Sequence, residues 1–187
     1  MSVNQQDIET IHELLVPAFG EKAWATKLST SGRYIVVEFG DPTPVIGDPN
    51  TIAGKWHLVT NACAWRLEKN GGVLTGSLDV PSFVPSPEYD KDGSQRANAK
   101  EQRFNVEQAL QELDGLSLQT VEVQRPAFDT IFTFDNSVKL HFFSVVFFGN
   151  EDGSVTWRHW SFYMPDGRVL IIGPGTNWSV KKYRKAS

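Results

Sequence analysis

The residues able to do chemistry are few: one cysteine, four histidines, some carboxylates near turns and a Gly-Pro-Gly. Cys63 lies between Ala62 and Ala64, with Trp65 nearby. A nucleophilic cysteine must be a thiolate, which needs a positive neighbour or a helix N-terminus. Arg66 is three residues on, so on a strand it points to the opposite face. A cysteine among small apolar residues reads as core, and a single cysteine excludes an intrachain disulfide and a thiolate-rich zinc site. His12, His57, His141 and His159 show neither H-x-x-x-H nor H-x-H spacing, so no metal ligand and no cofactor is read from them. Gly173 to Gly175 lacks the Lys-Ser/Thr and the helix of a phosphate loop and reads as a turn. Glu38, Asp135 and Asp166 sit at strand ends or turns. Asp135 and Asp166 suit turns through local backbone hydrogen bonds, and no catalytic residue is assigned.

Binding is the other chemistry to weigh. In "TWRHWSFYMPDGRVLIIGPGTNW", Thr156 to Trp178, strand alternation puts Trp157, His159, Ser161 and Tyr163 on one face and Arg158, Trp160, Phe162 and Met164 on the other. The second face is core-like. The first combines aromatic rings with polar tips, as ligand grooves and protein interfaces do, and as sheet packing also does. One segment upstream, Trp56, Leu58 and Arg66 share a face, opposite His57, Asn61, Cys63 and Trp65. The candidate binding residues are therefore Trp157, His159, Tyr163, His57 and Trp65.

Elements must position these side chains. Ile8, Ile11 and Leu15 predict a helix over Gln5 to Leu15, before Pro17 and Gly20. "RYIVVEFG" predicts a strand from Arg33 to Phe39. The proline-rich Asp41 to Asn50 reads as a solvent-facing loop. "KWHLVTNACAWRLEKNGGVLTGSLD" reads as one long strand, a turn at Asn70-Gly71-Gly72 and a second strand. Pro81 to Arg103 is polar and reads as a linker or surface loop. Val106, Ala109, Leu110 and Leu113 predict a second helix, closed by Gly115. "LQTVEVQ", "DTIFTF" and "VKLHFFSVVFF" are strands. The last is apolar on both alternating faces, through Phe143, Val145 and Phe147 on one of them, so it is expected at the centre between a helix and the opposite sheet. A hairpin turns at Pro165-Asp166-Gly167, and "KKYRKAS" reads as a frayed basic tail.

The chain also repeats. Ile8-Glu9 and Leu15 match Val106-Glu107 and Leu113 at a separation of 98; "VEFGD" answers "FTFDN" at 95, and "LEKNGGVL" answers "YMPDGRVL" at 96. The expected fold is α+β: mostly antiparallel sheet with two helices, in two similar halves about a pseudo-twofold. The halves span residues 1–80 and 104–180, with a linker at 81–103 and a tail at 181–187, all in one compact domain.

Composition narrows function. The 187 residues are 40% hydrophobic and 21% charged, enough for a packed core. A net charge of −4 argues against gripping nucleic acid. No run of about 18 apolar residues is present to span a membrane, and the N-terminus lacks a secretory pattern. The expected location is the cytoplasm, so the Asn177 to Ser179 sequon reads as a chance match.

"CAWRLEKNGGVLTGSLD", "FTFDNSVKLHFF" and "W-x-F-Y-M-P-D-G-R-V-L-x-x-G-P-G" together resemble a family of uncharacterised short bacterial proteins with a Trp-Arg strand and a closing Pro-Asp-Gly…Gly-Pro-Gly hairpin, over about Arg33 to Trp178. The resemblance implies a bacterial origin and no assigned activity. Some members look like neighbours of toxin systems, which implies an immunity-type role. Two readings follow. One is a non-enzymatic protein-interaction module whose partner is another protein, such as a toxin, or a second copy in a homodimer. The other is a small-molecule binder or small enzyme with a groove between the halves lined by His57, Cys63 and His159.

Overall fold

The computed structural model describes residues 4–29, 34–45, 48–61, 63–80, 94–144, 158–174 and 176–183. Helix α1 spans Gln5–Leu15, as its apolar spacing requires. The Asn4 side chain caps it by accepting the Asp7 N–H at 2.7 Å. A 3-10 turn, Val16–Ala18, leads into β1 (Ala23–Leu28) and β2 (Ile35–Phe39). A small ribbon of β3 (Thr43–Val45) and β4 (Asp48–Ala53) precedes β5 (Trp56–Thr60), β6 (Ala64–Lys69) and β7 (Gly72–Gly76). Helix α2 (Ser94–Leu110) and a second 3-10 turn open the other half. It continues as β8 (Leu118–Gln124), β9 (Asp129–Phe134), β10 (Val138–Phe143), β11 (Trp160–Tyr163), β12 (Arg168–Ile172) and β13 (Trp178–Lys182). Among the described residues the fold is α+β, with two α-helices and mostly antiparallel sheet. No helix among the described residues is long and apolar enough to cross a membrane.

Two antiparallel sheets face each other. One runs β1-β2-β5-β11-β12-β13 and the other β7-β6-β10-β9-β8. The six-stranded sheet joins β1-β2-β5 of the first half to the β11–β12 hairpin and β13 of the second, with β11 paired to β5; the five-stranded sheet joins β8-β9-β10 of the second half to the β6–β7 hairpin of the first, with β6 paired to β10. The core between them is aromatic. Phe132 lies against Phe142, Trp160 and Phe162, with ring centroids 5.4 to 6.5 Å apart, and Phe162 continues to Trp56 and Phe39.

The halves share an element order: α-helix, 3-10 turn, two paired strands, a third strand, then a hairpin in the other sheet. Their junction is reciprocal. The Gly20 N–H donates to the Leu118 carbonyl and the Gly115 N–H to the Ala23 carbonyl; Ala23 donates to Leu116 and Leu118 to Glu21. Each bond maps onto its counterpart when positions shift by 95, and the bridge Lys22↔Ser117 joins two residues that are themselves 95 apart. Gly20 and Gly115 both have left-handed backbones, φ +85° and +88°, where the chain leaves a helix and reverses into a strand. Phe39 and Phe134, again 95 apart, stack with centroids at 6.1 Å.

Several expectations need correction. Asp41 to Asn50 is not simply a loop, because Thr43–Val45 forms β3 and its last three residues begin β4, with 46–47 outside the described residues. Residues 94–103 of the expected linker are helical, and 81–93 lie outside the described residues. The first residues of the expected tail are not frayed: β13 runs through Lys182, and the Tyr183 N–H donates to the Gly167 carbonyl at 2.7 Å, while 184–187 lie outside the described residues. The long strand from Trp56 is two strands in opposite sheets. Its corner is held by the His159 carbonyl, which accepts the Asn61 N–H at 2.7 Å and the Cys63 S–H at 3.0 Å. Strand β10 is central in its sheet, yet only Val138, Leu140 and Phe142 are buried; Lys139 is exposed, while His141 and Phe143 are half-buried on the outer face. Val145 and Phe147 lie outside the described residues.

Candidate functional site

The outer face of the six-stranded sheet carries a row of polar and aromatic side chains. Pairing places Glu38 opposite His57 and His57 opposite Tyr163. His57 Nδ1 donates to Glu38 Oε1 at 2.7 Å, and the Gly54 N–H donates to Glu38 Oε2 at 2.9 Å. Gly54 is needed there, because a Cβ would come within 2.6 to 2.8 Å of backbone atoms of Phe39 and Trp56. Tyr163 meets the His57 ring edge-on at 5.4 Å, and Tyr183 meets Tyr163 edge-on at 5.1 Å.

Burial pushes the Glu38 carboxyl up, but the His57 hydrogen bond and charge, the Gly54 N–H and Lys27 outweigh it and hold the group below the usual carboxylate range. Glu38 is buried, while the His57 side chain is 30% exposed and Tyr183 is 48% exposed. The carboxylate thus fixes the imidazole by its Nδ1 edge, while Tyr163 is half-buried beside it and Tyr183 is exposed at the end of the row. Such a row can accept and donate hydrogen bonds and supply rigid aromatic contact area.

The structure divides the sequence-derived candidates. His57 and Tyr163 come together. Trp157 lies outside the described residues. His159 is fully buried, and so is not a surface ligand. Trp65 is also core, at 3% exposure. Its face was misassigned because the chain changes sheets after Thr60: parity carried from Trp56 to Trp65 fails at the corner, and both indoles point inward. Cys63 and His159 do meet, but inside the protein. Desolvation by burial pushes the Cys63 thiol up to about 12, so it is no thiolate at neutral pH. The His159 carbonyl accepts from Asn61, just past the end of β5 and four positions from His57, or about 13 Å of extended chain. His57, Cys63 and His159 therefore line no common groove.

Sequence reasoning missed three contributors. Glu38 was set aside as a strand-end carboxylate, Tyr183 was placed in the tail, and Gly54 was not singled out. Glu38 and Tyr163 reach His57 only through register, which short segments do not reveal. Tyr183 had a signal in the apolar Trp178 and Val180 preceding it.

A second cluster lies on the outer face of the five-stranded sheet. His141 pairs opposite Arg66. Arg66 Nε is 2.6 Å from Glu68 Oε1, His141 Nε2 is 3.2 Å from Glu68 Oε2, and the Arg66 guanidinium sits 5.2 Å from the Phe143 ring centre. Burial lowers the His141 pKa, with Arg66 and Lys139 adding to that and Glu68 opposing it. A groove of about 570 Å³ between α1 and β8 is lined by Glu9, His12, Glu13 and Glu122, among others. Among the described residues no group of three or more His, Cys, Asp or Glu could hold a metal ion.

No protein-family model, curated protein or solved structure matches the chain. The site's geometry carries the functional reading.

Proposed function

We propose that this chain is a non-enzymatic protein-interaction module, of the immunity type, that binds another protein in a bacterial cytoplasm through the outer face of its six-stranded sheet. The observation that carries the reading is the continuous row Glu38–His57–Tyr163–Tyr183, with its acid buried and its aromatic end open. Rigid aromatic side chains on a strand scaffold supply contact area at low entropic cost. The alternative, a small-molecule binder or small enzyme, has the Glu38–His57 pair in its favour, since a carboxylate-oriented imidazole suits proton transfer. The other groups it requires, Cys63 and His159, are buried elsewhere. Affinity capture from host lysate with the intact chain and with the Tyr163→Ala/Tyr183→Ala double variant tests the reading. One protein should be retained by the intact chain and lost from the variant; equal retention by both would refute the proposed face.

The same reading takes the two halves as products of an internal duplication. Its support is the shared element order and the reciprocal hydrogen bonds at a constant shift of 95. Mutual completion of the sheets by exchanged hairpins is the arrangement expected if the ancestral unit worked as a twofold dimer.

A further inference from the structure

Strand β13 ends the six-stranded sheet beside the Tyr163–Tyr183 pair. Its inner edge is fixed by the Gly173 N–H donating to the Asn177 carbonyl and the Tyr183 N–H donating to the Gly167 carbonyl. Backbone direction alternates along an antiparallel strand. Asn177, Ser179, Lys181 and Tyr183 therefore turn their main-chain groups toward β12, while Trp178, Val180 and Lys182 turn theirs outward. Among the described residues no strand closes that outer edge. Val180 is 37% exposed, Lys181 and Lys182 are exposed, and neither lysine has an ion pair among the described residues. Lys181 pairs opposite Val169, and Val169 opposite Tyr163, so it extends the Glu38–His57–Tyr163 row to the sheet edge.

We propose that this edge accepts an acidic, extended segment of the partner protein as a seventh strand. The inference rests on the interaction-module reading and names what the partner presents. An open edge pairs with an extended chain through main-chain hydrogen bonds, while side chains select which chain. Charge makes that selection here. Two adjacent lysines at the edge of a chain with net charge −4 favour carboxylates in the cross-strand positions. They also disfavour a second copy: antiparallel pairing of β13 with itself about Val180 would gather four lysines along one short seam. Lysine at a sheet edge deters pairing with a like strand, and the same charge attracts a strand of opposite sign.

The test uses the full chain and two eight-residue peptides, one alternating glutamate with valine and the other lysine with valine, titrated by calorimetry. The glutamate peptide is expected to bind at least about tenfold more tightly than the lysine peptide. Val180→Pro removes one outward N–H and leaves the ladder to β12 intact, as proline is tolerated at a sheet edge; it should weaken glutamate-peptide binding about tenfold or more. Lys181→Glu with Lys182→Glu, on exposed side chains, should reverse the peptide preference. Equal affinity for the two peptides, no binding of either, indifference to Val180→Pro, or equally effective competition by a ten-nucleotide oligothymidylate would each overturn the proposal. A captured partner that is lost with Tyr163→Ala but kept by Val180→Pro and by the lysine reversal defeats the edge and leaves the module reading intact. A partner kept by every variant defeats the module reading itself.

Discussion

At the scale of single residues, the chemistry divides into groups that are closed off and groups that are presented. Cys63 is closed: its S–H is spent on the His159 carbonyl and its thiol is pushed up to about 12 by burial. A thiol reagent at pH 8 is expected to label Cys63 only as fast as the protein opens, with labelling becoming rapid in denaturant; fast stoichiometric labelling of native protein would mean an accessible thiolate. Glu38 is buried but paired. Its folded-state pKa lies below the ordinary value of 4.5, so the stability it contributes is present above that value and is lost as pH falls through the lowered one. Glu38→Gln should cost about 1–3 kcal/mol at neutral pH, because the amide has one acceptor oxygen and leaves either the His57 Nδ1–H or the Gly54 N–H facing a second donor. It should also flatten the loss of melting temperature on acidification below pH 4.5. An acid limb as steep as that of the native chain would mean other carboxylates carry it.

At the scale of elements, Gly54 ties the site to the fold. It sits between the β3–β4 ribbon and β5, with its N–H on Glu38 and no room for a side chain. Gly54→Ala is expected to cost about 1–3 kcal/mol by overpacking, seen as a lower denaturation midpoint with an unchanged slope; a neutral substitution would show that the ribbon moves freely. The elements that were legible in the sequence have strong local signals. Helix α1 has its apolar stripe, and the hairpins at Asn70-Gly71 and Asp166-Gly167 have their turn residues. Strand β1 went unseen because a bulge between Trp24 and Lys27, with Ala25 at φ +50°, breaks its alternation. The start of α2 was unseen because residues 94–103 offer helix-favouring Gln, Arg, Ala, Lys and Glu but no apolar stripe. The β5–β6 corner was unseen because "TNAC" contains neither glycine nor proline; its turn depends on a distant carbonyl.

At the scale of the whole molecule, the arrangement of the halves explains both what could be read and what could not. Offsets of 95 to 98 in the sequence correspond to a constant shift of 95 in the backbone bonds joining the halves. The exchange of hairpins between sheets has no local sequence signal, yet it brings Tyr163 of one half beside His57 of the other. The candidate site is therefore a product of the assembly of the halves, and only its individual residue types could be picked out beforehand.

The central claim is that this row is a surface kept free for a protein partner. The measurement that tests it most directly is the affinity of the captured partner for Tyr163→Ala, taken together with the melting temperature of the free variant and of Trp160→Ala. Trp160 is fully buried in the aromatic core, so its truncation should cost about 3–5 kcal/mol. Tyr163→Ala should weaken binding at least about thirtyfold, as expected for an interface anchor worth about 2 kcal/mol, and lower the melting temperature far less than Trp160→Ala does. Unchanged affinity, or a loss of stability equal to that of Trp160→Ala, would contradict the account and make the row part of the packing.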